Sequence, residues 1–164
     1  AHEAGDIVRI WALDAESAEF IAEFAYPLDP PDSFLRDVQA GPVRLDDVKV
    51  SELAIDSDGS LLVLERVTLS THIYRVRPDP GHALPERYLD RGHRPTLEQL
   101  RKSELVEAGV ASLEKKLVLS TDQYPQICGD LEGMLVEQDG SLLLSNDNDF
   151  GIEGAMTQFW RVRI

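Results

Sequence analysis

Acidic and amide side chains border two apolar runs near the C-terminal end of the sequence. Glu132 lies at the start of the run 131–137, and the run 142–145 is followed by a polar tetrapeptide. In a hairpin the start of the first strand lies beside the end of the second, so we expect these side chains to meet. Their oxygen atoms suit Ca²⁺, which takes about six to eight oxygen ligands. The pattern predicts a metal site made of Glu132, Asn146, Asp147, Asn148 and Asp149.

A simpler interpretation of the tetrapeptide is turn chemistry. Asn and Asp side chains bond to their own backbone and tolerate left-handed conformations, so they are common directly after strands. The spacing of an EF-hand loop is absent here. Both interpretations stay open from the residues alone.

An internal repeat with an offset of 81 residues organises the chain. Residues 51–64 align with residues 132–145, and each copy contains Asp-Gly-Ser between two apolar runs. Asp-Gly favours a type I′ hairpin turn, which needs positive φ at both central residues. A third strand follows each hairpin, at 73–77 and at 159–163. Two copies of a three-stranded meander are therefore predicted.

The first copy offers weaker candidates for chemistry. Ser51, not Glu52, aligns with Glu132, and an offset of one residue turns a strand side chain to the opposite face unless a bulge corrects it. Glu65 and Arg66 align with the start of the polar tetrapeptide. Arg66 could bind a phosphate or carboxylate, or could form an ordinary ion pair.

Short strands bounded by turn residues dominate the rest of the chain. We predict one helix, which Thr96 and Gln99 would begin as a capping box and Gly109 would end. It belongs to a loop-and-helix insertion at 78–113, inside a single domain that spans 1–164. The nine predicted strands are 7–13, 18–26, 51–56, 61–66, 73–77, 116–120, 131–137, 142–145 and 157–164.

Repeated antiparallel meanders are typical of β-propeller blades. The fold class is therefore all-β, a partial β-propeller of about two to three blades, with a small β-sandwich as the alternative. A ring needs more strands than these, so we expect the missing N-terminal blades of the same protein, a partner chain or further copies in a homo-oligomer to complete it.

The amino-acid composition limits the classes of partner that the chain can bind. The 164 residues carry a net charge of −14 and a single cysteine, Cys128, so no internal disulfide forms. An acidic chain is a poor match for nucleic acid or an anionic membrane. No apolar run is long enough to span a membrane, and the chain contains no signal-peptide pattern.

Four ordered motifs resemble the C-terminal part of the phytase-like, esterase-like β-propeller family. They are the stretch 22–28, the hairpin of 50–54 with 61–66, the stretch 131–134, and 145–151 with 157–159. The resemblance implies an exported protein, secreted or periplasmic, that hydrolyses phosphate or carboxylic esters with Ca²⁺. It places Glu132, Asp147, Asn148 and Asp149 at the family's signature positions, with Glu52 and Glu65 at corresponding positions of the previous blade.

On this basis the chain is expected to be part of a Ca²⁺-assisted hydrolase of a small-molecule ester. Glu132, Asp147 and Glu52 are the expected catalytic residues, and Arg66 and Asn148 would bind substrate. Glu65 would join the metal ligands. The alternative is a non-catalytic propeller whose faces bind a protein or ligand, because a fold does not dictate an activity.

Overall fold

The computed structural model describes residues 5–164, except for the side chain of Glu153. This described part contains nine β-strands, one α-helix and several short 3₁₀ helices. No helix in it is long and apolar enough to cross a membrane. The strands and the helix are β1 (Ile7–Leu13), β2 (Phe20–Pro27), α1 (Leu35–Ala40), β3 (Lys49–Ile55), β4 (Leu61–Arg66), β5 (Thr71–Val76), β6 (Lys116–Ser120), β7 (Leu131–Val136), β8 (Ser141–Asn146) and β9 (Phe159–Arg163).

The strands form three antiparallel sheets in which sequence neighbours are also spatial neighbours. The sheets are β1-β2, β3-β4-β5-β6 and β7-β8-β9. Such meanders need only short connections and pair in chain order, as propeller blades do. The prediction of an all-β, partial β-propeller with about two to three blades is confirmed.

The chain divides into two compact units. One consists of Ala1–Asp29 and Arg77–Glu114, and the other of Pro30–Val76 and Lys115–Ile164. A single domain over 1–164 stays a prediction.

The second unit contains the four-stranded and three-stranded sheets, and their first strands, β3 and β7, contact each other. The strands β4 and β8 contain continuous apolar runs, and alternate residues of each run, Leu62 with Leu64 and Leu142 with Leu144, enter the core between the two sheets. The shared core holds Leu62, Leu64, Ile73, Leu119, Ile127, Leu131, Met134, Leu142 and Leu144.

The internal repeat is visible in the strand register. Val50 pairs with Glu65 in the first copy, and Leu131 pairs with Asn146 at the same place in the second. The pairing then shifts in both copies, which leaves Ser51 and Glu132 at equivalent β-bulges. The bulge therefore gives two aligned residues the same orientation relative to their sheets.

The hairpin turns differ from the predicted type I′. Of the described residues in these two turns, only Gly59 and Gly140 have positive φ, +78° and +81°. The N–H of Gly59 bonds to the carbonyl of Asp56, and the N–H of Gly140 bonds to that of Glu137. Both loops are thus type I turns followed by a left-handed glycine, the usual form of a slightly longer hairpin loop.

The helix predicted near residues 96–109 is wrong. The Thr96–Gln99 capping box is present, but it begins a 3₁₀ helix, Leu97–Gln99, after which Leu100 is extended. A second 3₁₀ helix, Lys102–Glu104, follows. The cause is the spacing of the buried residues, at intervals that do not match 3.6 residues per turn. Val106 is 88% exposed, although the predicted helix would have buried it. Four other residues of this stretch pack in the core of the first unit with residues of β1, β2 and the preceding loops: Leu97, Leu100, Leu105 and Val110 with Ile7, Ala25, Leu84 and Tyr88.

The α-helix lies instead in the Pro- and Asp-rich stretch after β2, at α1. It has only six residues, so local propensity cannot hold it. The backbone N–H groups of Leu35 and Arg36 donate to the carboxylate of Asp122. The carboxylate of Asp37 in turn accepts from the backbone N–H groups of Thr68, Leu69 and Ser70. Tertiary hydrogen bonds at both carboxylates therefore fix α1.

Candidate functional site

The ends of β7 and β8 bring the predicted polar residues to one edge of the three-stranded sheet. Leu131 pairs with Asn146, so the residues before and after this pair lie side by side. Asp130 precedes β7, and Asp147 follows β8. The main chain joins them, because the N–H of Asp147 donates to the carbonyl of Asp130 over 3.0 Å.

Three carboxylates converge at this edge. Asp130, Asp147 and Asp149 each offer an oxygen atom within 4.8 Å of the other two. The N–H of Asp149 also donates to Oδ1 of Asp147 over 3.1 Å. We call this set the carboxylate cluster. Asp147 and Asp149 are exposed and Asp130 is half-buried, so solvent reaches the cluster.

The cluster is held by an unusual backbone. Asp130 and Asp149 have φ values of +58° and +46°, and Phe150 has +58°. Left-handed residues other than glycine are uncommon, and Asp is among the better tolerated. The N–H of Asp130 is anchored to the carbonyl of Thr68 over 2.6 Å. A loop of the first repeat therefore fixes the residue that completes the cluster.

Arg66, at the end of β4, lies beneath this edge. Its residue is 5% exposed, and all three guanidinium nitrogens have partners. Nη1 lies 2.5 Å from Oδ1 of Asp130, Nη2 forms an ion pair with Glu132, and Nε donates to Oγ of Ser51 over 2.9 Å. The two bulge residues of the repeats therefore meet on one arginine.

Glu132 is the most accessible of the Arg66 partners, with a side chain 42% exposed. Because it occupies the bulge of β7, it has no pairing partner on β8 and its side chain leaves the regular alternation of the strand. The arginine orients the carboxylate by a charge-assisted contact. Glu132 thus lies beside the carboxylate cluster through its shared partner, Arg66.

The other predicted site residues have different surroundings. Glu65 is fully buried and forms an ion pair with Lys115, whose ammonium lies 4.1 Å from the centre of the Tyr74 ring. Glu52 accepts a hydrogen bond from the N–H of Leu53 over 2.8 Å, while Ser51 takes the bulge position. The structure does not bring either glutamate into the carboxylate cluster.

The two asparagines of the tetrapeptide differ in role. Oδ1 of Asn146 accepts from the N–H of Gln158, and its Nδ2 donates to the carbonyls of Asp147 and Met156. Asn146 therefore ties the loop after β8 to the start of β9, which is the turn chemistry that was the simpler interpretation. Asn148 is half-buried and precedes the 3₁₀ helix Asp149–Gly154.

Asp130 is the member of the carboxylate cluster that the sequence analysis did not list among the candidate site residues. It stands outside the strand, so the pattern of the apolar run does not mark it. The available signal was its position two residues before Glu132, where a second carboxylate would reach the same edge of the sheet.

This edge of the three-stranded sheet concentrates carboxylate oxygen atoms. The edge holds the three carboxylates of the cluster and Glu132, and the one buried guanidinium beside them, that of Arg66, contacts only Asp130 and Glu132 among these four, so an excess of negative charge remains. Oxygen atoms with this spacing are the ligands that hard divalent cations prefer.

The three antiparallel meanders give the chain a partial, propeller-like β fold, in which the edge at the ends of β7 and β8 is acidic. A family model described as "Phytase-like: Esterase-like activity of phytase" matches residues 1–150. The chain belongs to this phytase-like family, as the resemblance predicted. No curated protein and no solved structure matches the chain significantly.

Proposed function

We propose that this chain forms part of a Ca²⁺-assisted hydrolase of phosphoesters or carboxylic esters. The observation that carries the proposal is the carboxylate cluster, which lies within the family-matched part of the chain. Family membership supports hydrolysis of esters in general, and the cluster supports the metal.

The cluster fits Ca²⁺ on geometric grounds. Calcium binds oxygen at about 2.3–2.6 Å, so two ligands of one ion lie at most about 5 Å apart. The three carboxylate oxygens meet this limit with a mutual spacing within 4.8 Å. Asp130, Asp147 and Asp149 would hold the ion, with Asn148 and Glu132 next to it. When bound, Ca²⁺ would polarise the ester oxygen and make an attacking water more acidic.

The chain's own residues supply orientation and charge balance. Arg66 holds Glu132 and Asp130 in place and cancels part of their negative charge, which lowers the repulsion felt by an anionic phosphoester. Glu132 is the accessible carboxylate that would accept a proton from water at this edge. Arg66 then acts as a positioning residue, since its nitrogens are already bonded, rather than as the substrate ligand we expected from the sequence.

The remaining blades and the location of the protein belong to the same proposal. A propeller hydrolase needs a closed ring, so we propose that further blades come from the same protein, a partner chain or additional copies. Secretion or a periplasmic location follows from the family resemblance alone.

Calcium binding can be tested directly by isothermal titration calorimetry on the chain. Asp147→Asn and Asp149→Asn remove one charged ligand each and should weaken Ca²⁺ binding at least about tenfold. The matched control is Asp46→Asn, an exposed acid of the same unit that pairs with Arg44. Equal Ca²⁺ affinity in all four proteins would refute the proposed ligands.

Catalysis is tested with p-nitrophenyl phosphate and p-nitrophenyl acetate, with Ca²⁺ present or chelated. We expect Ca²⁺-dependent release of nitrophenol by the complete protein, and its loss in Glu132→Gln. Calcium binding that raises the melting temperature without hydrolysis of either ester would instead support the non-catalytic binding module. Unchanged kinetics in Glu132→Gln would contradict its role as proton acceptor.

A further inference from the structure

A cleft in the first unit is separate from the carboxylate cluster. It has a volume of about 380 Å³, within the range of small-molecule pockets. The paired strands β1 and β2 form its floor, with Arg9, Trp11 and Glu23 facing it. Its wall comes from residues 88–98 of the insertion, including Tyr88, His93 and Glu98.

The charged groups of the cleft are prearranged around Arg9. Its Nε lies 2.5 Å from Oε1 of Glu98, and its Nη1 lies 2.5 Å from Oε2 of Glu23 and 2.9 Å from the carbonyl of Tyr88. Burial opposes ionisation of Glu98, but the hydrogen bonds and charge of Arg9 outweigh it and lower the pKa of Glu98. Two carboxylates, Glu23 and Glu98, therefore share one guanidinium.

This charge balance disfavours an anionic ligand. Arg9, the central cation, already has carboxylate partners on both sides. At the rim, Asp90 and Arg91 carry opposite charges, so they leave the excess of carboxylate unchanged. The residues that line the cleft thus carry three carboxylates, Glu23, Asp90 and Glu98, against two guanidinium groups, Arg9 and Arg91, while Arg87 lies outside the lining, over the ring of Tyr88.

Trp11 gives the cleft an aromatic surface. The residue is 61% exposed, and it lies opposite Glu23 in the pairing of β1 with β2. The ring of Tyr88 is only 5% exposed and is covered by the edge of His93, with 5.1 Å between ring centres. Trp11 is thus the aromatic face available to a ligand, and it stands next to a buried carboxylate.

An exposed indole beside carboxylates is a good environment for an organic cation, because the ring face attracts positive charge. A bare metal ion is a poorer match, since the carboxylates are held by Arg9. Among residues 5–164, the group spaced to hold a metal is the carboxylate cluster, not this cleft. We propose that the cleft binds a small organic cation, an alkylammonium or quaternary ammonium group, between Trp11 and Glu23.

The proposal does not depend on ester hydrolysis and can be tested on the chain itself. The two tryptophans, Trp11 and Trp160, are replaced by 5-fluorotryptophan and followed by ¹⁹F NMR, with Trp11→Phe to assign the signals. Choline and tetramethylammonium should shift the Trp11 signal in a saturable way and leave Trp160 unchanged. The neutral isostere 3,3-dimethyl-1-butanol should produce little shift.

A second measurement follows the choline methyl signal by saturation transfer. Trp11→Leu should weaken choline binding about tenfold, the effect of losing a cation–π contact. Phe20→Leu is the control, because Phe20 is an exposed aromatic of the same hairpin that does not line the cleft. Equal binding of choline and its neutral isostere, a saturable shift of Trp11 by phosphate or acetate, or unchanged binding in Trp11→Leu would overturn the proposal.

Discussion

Arg66→Met tests whether the buried arginine holds the two repeats together. The substitution keeps an apolar stem of similar length but deletes contacts to Asp130, Glu132, Ser51 and the carbonyl of Val67. Hydrogen bonds to charged groups contribute about 1.5–3 kcal/mol each and neutral ones about 1 kcal/mol. The carboxylates of Asp130 and Glu132 are half-exposed and stay partly hydrated after the substitution, so the loss of stability is smaller than the summed contributions of the deleted contacts. We therefore expect a loss of about 3 kcal/mol.

The assay is urea unfolding of the chain at low ionic strength, followed by circular dichroism. In thermal unfolding, the same loss of about 3 kcal/mol would lower the melting temperature by roughly 6–12 °C for a chain of this size. The control is Arg161→Met, because Arg161 makes two contacts to Glu137 at 2.6 and 2.7 Å but is 67% exposed. Removing this exposed pair should cost much less stability, because water screens its charges. Equal losses in the two variants would refute the argument that burial makes Arg66 important.

Two further predictions concern local packing and pH. Gly129→Ala should destabilise the chain by about 2 kcal/mol in urea unfolding, because a Cβ there would overlap the carbonyl of Thr68, whereas Gly41→Ala meets open space and should be nearly neutral. Burial opposes ionisation of Asp122, but hydrogen bonds from Ser70 and from the N–H groups at the start of α1 outweigh it and lower its pKa. This stabilisation is complete above the ordinary value of 3.8 and is lost as pH falls through the lower folded-state pKa. The stability gap between wild type and Asp122→Asn should therefore shrink between pH 4 and pH 3, and a constant gap would contradict the assignment.

The parts of the fold that could be predicted are those specified locally. Short apolar runs on either side of an Asp-Gly turn mark β3, β4, β7 and β8 in both repeats, and the offset of 81 residues gives the matching register. The alignment even pairs Ser51 with Glu132, although nothing local shows that both are bulges. Strand periodicity is a short-range property, so one sequence suffices to read it.

The parts that could not be predicted depend on distant residues. The capping box at Thr96 begins a helical turn, but the core of the first unit then draws Leu100 into extended backbone. Conversely, α1 is held by Asp122, which lies more than eighty residues away. In both cases tertiary contacts override local propensity.

The ion pairs of the candidate site also depend on residues that are distant in the sequence. Glu65 and Arg66 are adjacent, but neighbouring residues of a strand point to opposite faces and cannot pair across it. Arg66 forms ion pairs with Asp130 and Glu132 of the other repeat, while Glu65 forms one with Lys115. Only the packing of the three-stranded sheet against the four-stranded sheet reveals the partners of Arg66, Asp130 among them, and only the return of the chain at β6 brings Lys115 to Glu65.

The two repeats share a backbone but have diverged in charge. Arg66 of the first repeat and Asp147 of the second occupy equivalent positions, directly after Glu65 and Asn146. If both positions carried a carboxylate, Asp130 and Glu132 would have no cation beside them, and their mutual repulsion would oppose the packing of the sheets. If both carried arginine, the edge of the second sheet would lose the oxygen ligands that make it acidic. The asymmetry thus lets one copy stabilise the excess negative charge that the other copy exposes, and it confines the carboxylate cluster to the end of β7 and β8.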